Sequence, residues 1–324
     1  MSAYDNLISA GNVVLHPEYL AEIFKTAAEQ SSVLRLGRQL RNMTTREMKL
    51  KVSTALPEVY FVGTKGTSQS FPGDALKKTD RSEWEDVSMY AGELAAIIVI
   101  PNNVFNDADF DVWGEVKAQL PSAIARKVDQ AVIYGEAGVD VPDDWSDGIW
   151  TDMPLEHIIA AGGGDIYDDL LGAMPAVFAA VEEDGYDVNG AIASVTMKAD
   201  LRGLRDDTGS GMPIFSMPVQ GTVDYALAGV PLSFPKNGAV DPTILLLLAG
   251  DWSKLVYSIR QDVSIDVFTT GVVQDDSGDI THNLMQEDLT AIRCTFRMGW
   301  ALPQPSGYFN PASGTMYPFS AYVG

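Results

Sequence analysis

The chain has 324 residues, 46% of them hydrophobic and 20% charged, proportions that fit a folded protein and exclude extensive disorder. Its 44 acidic and 22 basic residues leave a net charge of −22, which repels polyanions and removes the electrostatic footprint of a nucleic-acid-recognition protein. A single cysteine, Cys294, excludes an intrachain disulfide framework and any multi-cysteine zinc site.

The length predicts one large lobe or two intertwined ones. No basic stretch followed by an apolar core opens the chain, and the strongest apolar run, Ile244 to Ala249, is far below membrane-spanning length. The expectation is cytosolic synthesis without secretion or membrane insertion.

After a polar lead, Pro17 opens a stretch in which Leu20, Ile23, Phe24 and Ala27 or Ala28 recur at helical spacing, with Glu18 in the first turn. This predicts a short amphipathic helix, packed on its own domain or docked on a neighbour. From Met48 to Val62 the period changes to two: Met48, Leu50, Val52 and Thr54 share one face, Lys49, Lys51 and Ser53 the other. A second alternating segment, Trp84 to Ile100, is predicted to return antiparallel to it. The turn-forming residues Gly63 to Gly73 lie between them. The pair reads either as a long two-stranded arm or as two strands of a larger sheet. A two-stranded ribbon is marginally stable alone, so an arm of this length requires a surface to lie on, in this subunit or another.

Asn106 or Asp107 can cap the clearest helix, in which Phe110, Trp113, Val116, Leu120, Ile124, Val128 and Ala131 or Val132 form one apolar stripe ending near Tyr134. Pro121 falls inside it and is expected to kink it. Between Glu136 and Asp169 no lysine or arginine occurs while acids accumulate, which predicts an exposed acidic loop. Ile166, Leu170, Met174 or Val177, and Val181 then mark a helix stopping near Asp184-Gly185. Beyond it the pattern is mixed: a buried strand over Ala191 to Met197, a helix over Ala199 to Asp206, strands over Thr243 to Ala249 and Leu255 to Ile259. A final half-buried strand sets Ala291, Arg293, Thr295 and Arg297 against Ile292, Cys294, Phe296 and Met298. The fold class is α+β.

No motif carries catalysis. His16, His157 and His282 stand alone, without the spacing that would put two metal ligands on one helix face. Asp143, Asp144 and Asp147 precede Gly148, but a calcium loop there would need Trp145 and Pro154 as ligands. Gly162-Gly-Gly164 lacks the lysine and hydroxyl residue of a P-loop, and Gly209-Ser-Gly211 lacks the frame of a nucleophile elbow. No catalytic, cofactor-binding or metal-binding residue is predicted, and the chain is not expected to be an enzyme.

The order of these features, together with Ile100-Pro-Asn-Asn-Val-Phe-Asn-Asp107, Ala125 to Gly135, Leu201-Arg-Gly-Leu-Arg-Asp-Asp-Thr-Gly209, Leu227-Ala-Gly-Val-Pro231 and Ala249 to Tyr257, resembles the major capsid protein family of tailed bacteriophages, with the Hong Kong 97-type fold. The resemblance spans about Pro17 to Tyr308. It implies an N-terminal arm over residues 1–44 and an extended β-hairpin loop over 45–100. A peripheral domain with the long spine helix and acidic loop would follow over 101–164, an axial α/β domain over 165–286, and returning peripheral strands with the C-terminal segment over 287–324. It further implies self-assembly through pentamers and hexamers into an icosahedral shell that encloses DNA without sequence-specific binding. The virion would be the destination and the host bacterial cytoplasm the place of synthesis. A portal protein and a decoration protein are implied partners. Because the arm begins close to Met1, the family's scaffolding segment would have been removed or replaced by a separate scaffolding protein.

Some members weld subunits through a lysine of the extended loop. Lys65, Lys77 and Lys78 fit no such motif, so noncovalent contact is expected, with Val59, Phe61, Phe71 and Trp84 as the ribbon residues buried by neighbours. Two rivals share the sequence features: an encapsulin-like nanocompartment shell, and an acidic cation-binding cytosolic enzyme.

Overall fold

The computed structural model describes residues 26–27, 30–55, 83–103, 112–135, 141–145, 147–160, 166–203, 225–227, 229–275, 277–304 and 316–324. In chain order the elements are α1 (Ser32–Leu36), β1 (Arg38–Gln39), β2 (Glu47–Ala55), β3 (Glu83–Tyr90), β4 (Gly92–Pro101) and α2 (Val112–Tyr134). A 3-10 turn (Leu155–His157), β5 (Ile158–Ala160), α3 (Ile166–Glu183), β6 (Gly190–Ala193), α4 (Met197–Gly203), β7 (Ala226–Leu227) and β8 (Val230–Ser233) follow. The chain then closes through β9 (Leu247–Gly250), β10 (Val256–Phe268), β11 (Val272–Gln274), β12 (Ile280–Asn283), β13 (Leu289–Ala301) and β14 (Phe319–Val323).

Two mixed sheets organise the molecule. One has the order β1-β10-β13-β4, the other β5-β14-β9-β6-β8-β7. The alternation over 291–298 becomes β13, whose Ile292, Cys294, Phe296 and Met298 are buried in one core with Leu120, Ile124 and Val128 of α2. The same core takes in Ile192, Leu248 and Phe319 of the second sheet, so the layers share one apolar interior. Trp252 fastens them: its indole N–H donates to Gly190 O at 3.0 Å, and its ring meets Phe319 edge-on at 4.9 Å. On the far side of the second sheet, Val177 and Phe178 of α3 pack with Ala191, Leu247 and Tyr322.

Several elements depart from the pattern reading. The alternating run from Trp84 to Ile100 is not one returning strand. It divides at Ala91, where β3 leaves its antiparallel pairing with β2 and β4 begins pairing with β13. Ala91 N–H donates to Arg46 O, and Trp145 Nε1–H donates to Tyr90 O, so both sides of the break are held by other segments. The acidic stretch is not merely an exposed loop: Asp143 and Asp144 face solvent, but Trp145, Ile149 and Met153 are buried. Helix α2 continues through the buried Pro121, and its residues give a length of about 35 Å at 1.5 Å per residue. Helix α4 starts two residues before the expected position, at Met197, whose N–H reaches Ser194 Oγ. The predicted helix from Pro17 lies almost wholly outside the described residues; its Ala27 is buried.

Sheet membership also cuts across the expected sequence ranges. Strand β10, within 165–286, joins β13 and β4, whereas β14, within 287–324, lies between β5 and β9.

Cys294 is buried on β13, and burial pushes its thiol up to about 11. At pH 8 about one thiol in a thousand would then be ionised. A thiol-exchange reagent should leave the native protein unmodified and titrate one group per chain once denaturant is added; prompt labelling of the native protein would contradict this burial.

Candidate assembly surfaces

The ribbon is built from β2 and β3, with Met48 opposite Met89, Leu50 opposite Val87, Lys51 opposite Asp86 and Ser53 opposite Trp84. Because directly opposed residues point to the same side, the apolar face carries Met48, Leu50, Val87 and Met89. At its base this face packs on Met43, Val256 and Ala301, which ties the ribbon to the first sheet. The other face is charged: Lys51 pairs with Asp86 at 2.8 Å and Lys49 with Glu47 at 3.7 Å. Trp84 belongs to this charged face, and 62% of it is exposed. Val59, Phe61 and Phe71, and with them Lys65, Lys77 and Lys78, lie outside the described residues. Of the four predicted contact residues, then, only Trp84 is placed.

A second surface escaped the sequence reading. On the side of the first sheet away from α2, Glu93, Arg297, Arg293, Asp266, Phe268 and Ile97 share one face by register. Arg297 grips Glu93, Arg293 donates to Asp266 at 2.8 Å, and the Arg293 guanidinium lies 4.9 Å over the Phe268 ring. These exposed pairs contribute little stability each, but they neutralise the face around exposed Ile97. From the end of the sheet projects the β11–β12 hairpin, with Val272 and Ile280 exposed and Met285 76% exposed just beyond it. Its signal was present in the turn around Asp275 to Gly278 between two short apolar-polar alternations.

The spine helix is locked by a buried carboxylate. Asp129 accepts from Ser31 Oγ at 2.5 Å, Val33 N–H at 3.1 Å, Ser32 N–H at 3.2 Å and Asn237 Nδ2 at 2.9 Å. Ser31 is also the N-cap of α1, its Oγ accepting from Leu34 N–H at 3.0 Å. One side chain thus joins the arm, the spine and the 234–239 loop. Burial raises its carboxyl above the ordinary range, and the four donors offset part of that rise.

His16 lies outside the described residues, and the other two histidines are structural in position. His157 is buried, with Nδ1 2.9 Å from Phe319 O and Nε2 3.2 Å from Asp184 Oδ2; His282 contacts Glu287 at 2.9 Å. Asp144 of the failed calcium motif is engaged by Arg46. Among the described residues no three potential ligands gather to hold a metal, and no helix is long and apolar enough to cross a membrane.

A two-stranded ribbon packed at its base on a two-sheet body, apolar side chains exposed on the β11–β12 hairpin, and a spine helix joined to the arm through Asp129 are the features of this fold set against known proteins. Residues 11–308 match the phage capsid family, and the chain belongs to it. Its role is that of the major capsid protein, which self-assembles into the icosahedral shell around the phage genome. No curated protein matches the chain. Among solved structures, a chain of Microbacterium phage Oxtober96 is 30% identical with a TM-score of 0.74, covering 90% of each chain. A chain of Mycobacterium phage Cain is 26% identical at the same TM-score and coverage. The capsid of a native GTA particle, 15% identical, shares the fold with a TM-score of 0.61 over 92% of this chain and 89% of its own.

Proposed function

We propose that the subunit closes into pentamers and hexamers chiefly through the β2–β3 ribbon, a noncovalent contact in which neighbours bury Val59, Phe61, Phe71 and Trp84. The observation that carries this reading is the ribbon itself: its apolar face packs at its base on Met43, Val256 and Ala301, and Trp84 is exposed near the far end of its described part. A two-stranded element of this kind gains stability when a second surface covers it. The layer of α2, β4, β10 and β13 would act as the peripheral domain, and that of α3, β5 to β9 and β14 as the axial domain. The proposed partners are a separate scaffolding protein, a portal protein and a decoration protein. The protein would be made in the host cytoplasm and would act without catalysis.

Size-exclusion chromatography with light scattering, followed by electron microscopy of the earliest fraction, tests this directly. Shells or five- and six-membered rings are expected; a strict monomer that persists with a coexpressed scaffold would remove the proposal. Replacing Phe61 and Trp84 together with alanine should leave the subunit's denaturation midpoint nearly unchanged, since surface truncations cost within about 0.5 kcal/mol. Shell yield should nevertheless fall steeply, because aromatic anchors carry on the order of 2 kcal/mol each in an interface. Undiminished yield would count against the ribbon as the contact.

A further inference from the structure

The solvent side of the spine helix carries a charge pattern that shell building does not itself require. Gln119, Ser122, Ala123, Arg126, Lys127 and Gln130 recur at helical spacing and, with Asn237, line an open groove of about 510 Å³. Arg126 and Lys127 are exposed, as is Lys236 beside Asn237. Among the described residues no acid lines the groove. The acid beneath it, Asp129, is fully buried and already accepts from four donors, one of them Asn237. Among the described residues, the ion pairs engage Arg46, Lys49, Lys51, Arg293 and Arg297, and none engages Arg126, Lys127 or Lys236. In a chain with 44 acids to 22 bases, this is a local reversal of sign. The opposite side of the same layer differs, since its arginines are neutralised by Glu93 and Asp266.

Two partners could satisfy such a surface: carboxylates of a protein or phosphates of a nucleic acid. A protein interface needs desolvated aromatic or aliphatic anchors at its centre. The described residues of the groove lining offer none; exposed Ile97, Phe268, Val272 and Ile280 lie on the opposite sheet face and the hairpin. What it offers instead is arginine and lysine among glutamine, asparagine and serine, the side chains that contact phosphate and sugar without reading bases.

We propose that this face of the spine helix is the inner wall of the shell and meets the phosphate backbone of the enclosed DNA. The inference rests on the coat-protein reading and adds an orientation to it. Three cations against a subunit of net charge −22 make a weak and strongly salt-dependent contact, which holds packaged DNA near the wall without fastening it there.

The test titrates a short fluorescent duplex of arbitrary sequence, by anisotropy, with unassembled full-length chain and with closed shells. The unassembled chain should bind at about 50 mM salt and lose about 40-fold in affinity by about 200 mM, as release of roughly three counterions requires. Closed shells should not bind added duplex, because the face is inside. The triple variant Arg126→Gln, Lys127→Gln, Lys236→Gln should bind at least roughly tenfold more weakly, yet form shells in normal yield. Absence of binding by the unassembled wild type, or equal binding by closed shells, would overturn the proposal. So would a folded triple variant that cannot assemble, since the face would then be a contact between copies. Failure of the wild type to form any shell would instead count against the coat-protein assembly it rests on.

Discussion

Gly135→Ala should abolish the accumulation of soluble, folded subunit. Gly135 follows the last residue of the spine helix with φ of +58°, in the left-handed region. An added Cβ would lie 1.5 Å from Asp147 O, a backbone atom with no flexible side chain to yield. Its counterpart, Gly148, has φ of +102° and abuts Gly135 from the other side. This close approach allows the returning chain to satisfy carbonyls that every helix C-terminus leaves without partners. Ile149 N–H donates to Val132 O at 2.9 Å, Trp150 N–H to Ile133 O at 2.7 Å and Thr151 Oγ1 to Tyr134 O at 3.0 Å. Separating the two strands of backbone would break these bonds and lift Ile149 out of the core it shares with Val132. A loss on the order of 5 kcal/mol or more follows from combined backbone strain and broken packing, comparable to the whole stability of many domains. Soluble yield and thermal midpoint measure it. A well-folded Gly135→Ala protein with a nearly wild-type midpoint would show that the approach is not required.

Asp129→Ala should produce the second largest loss, on the order of 3–5 kcal/mol. It leaves four donors facing a cavity, and each unsatisfied buried group costs about 1–3 kcal/mol before relaxation. Denaturant midpoints of wild type and variant would give the value, and a difference below about 1 kcal/mol would show that Asp129 does not hold arm to spine. Asp129→Asn separates charge from shape. Because burial raises the carboxyl in the folded chain, the folded state binds more protons than the unfolded state above the ordinary value of 3.8. The associated stability is therefore fully present below that value and declines as pH rises through the raised folded value. The asparagine variant lacks this titration. Measured against it, wild type should lose relative stability as pH increases from about 4 toward neutrality; a constant difference would mean that the carboxyl titrates alike in both states.

How much was legible in the sequence follows from which interactions are local. The apolar stripe Leu120, Ile124, Val128 and Val132 is set by 3.6-residue geometry, and α2 lies where that stripe predicts, over its described residues. The strict alternation from Ala291 to Met298 likewise became β13, because a strand with one buried face must repeat every second residue. The proposed contact surface was less legible. Trp84 alternates in phase with the charged side of the ribbon, and its pairing with Ser53 is fixed only by the register of β2 against β3. Exposed Ile97 looks like any core isoleucine until β13 is laid beside it.

The sequence by itself determined the α+β character, the spine helix and the two alternating segments able to pair, since composition and period are properties of short stretches, while the class of protein came from the resemblance that its motif order carries. Only the tertiary structure decided that the run from Trp84 to Ile100 splits between two sheets, that β14 inserts between β5 and β9, and that one carboxylate on α2 gathers donors from residues 31, 32, 33 and 237. Those outcomes depend on which surfaces meet after the chain collapses. Pairings across about a hundred residues or more are selected by shared burial and hydrogen-bond satisfaction, to which local periodicity is blind.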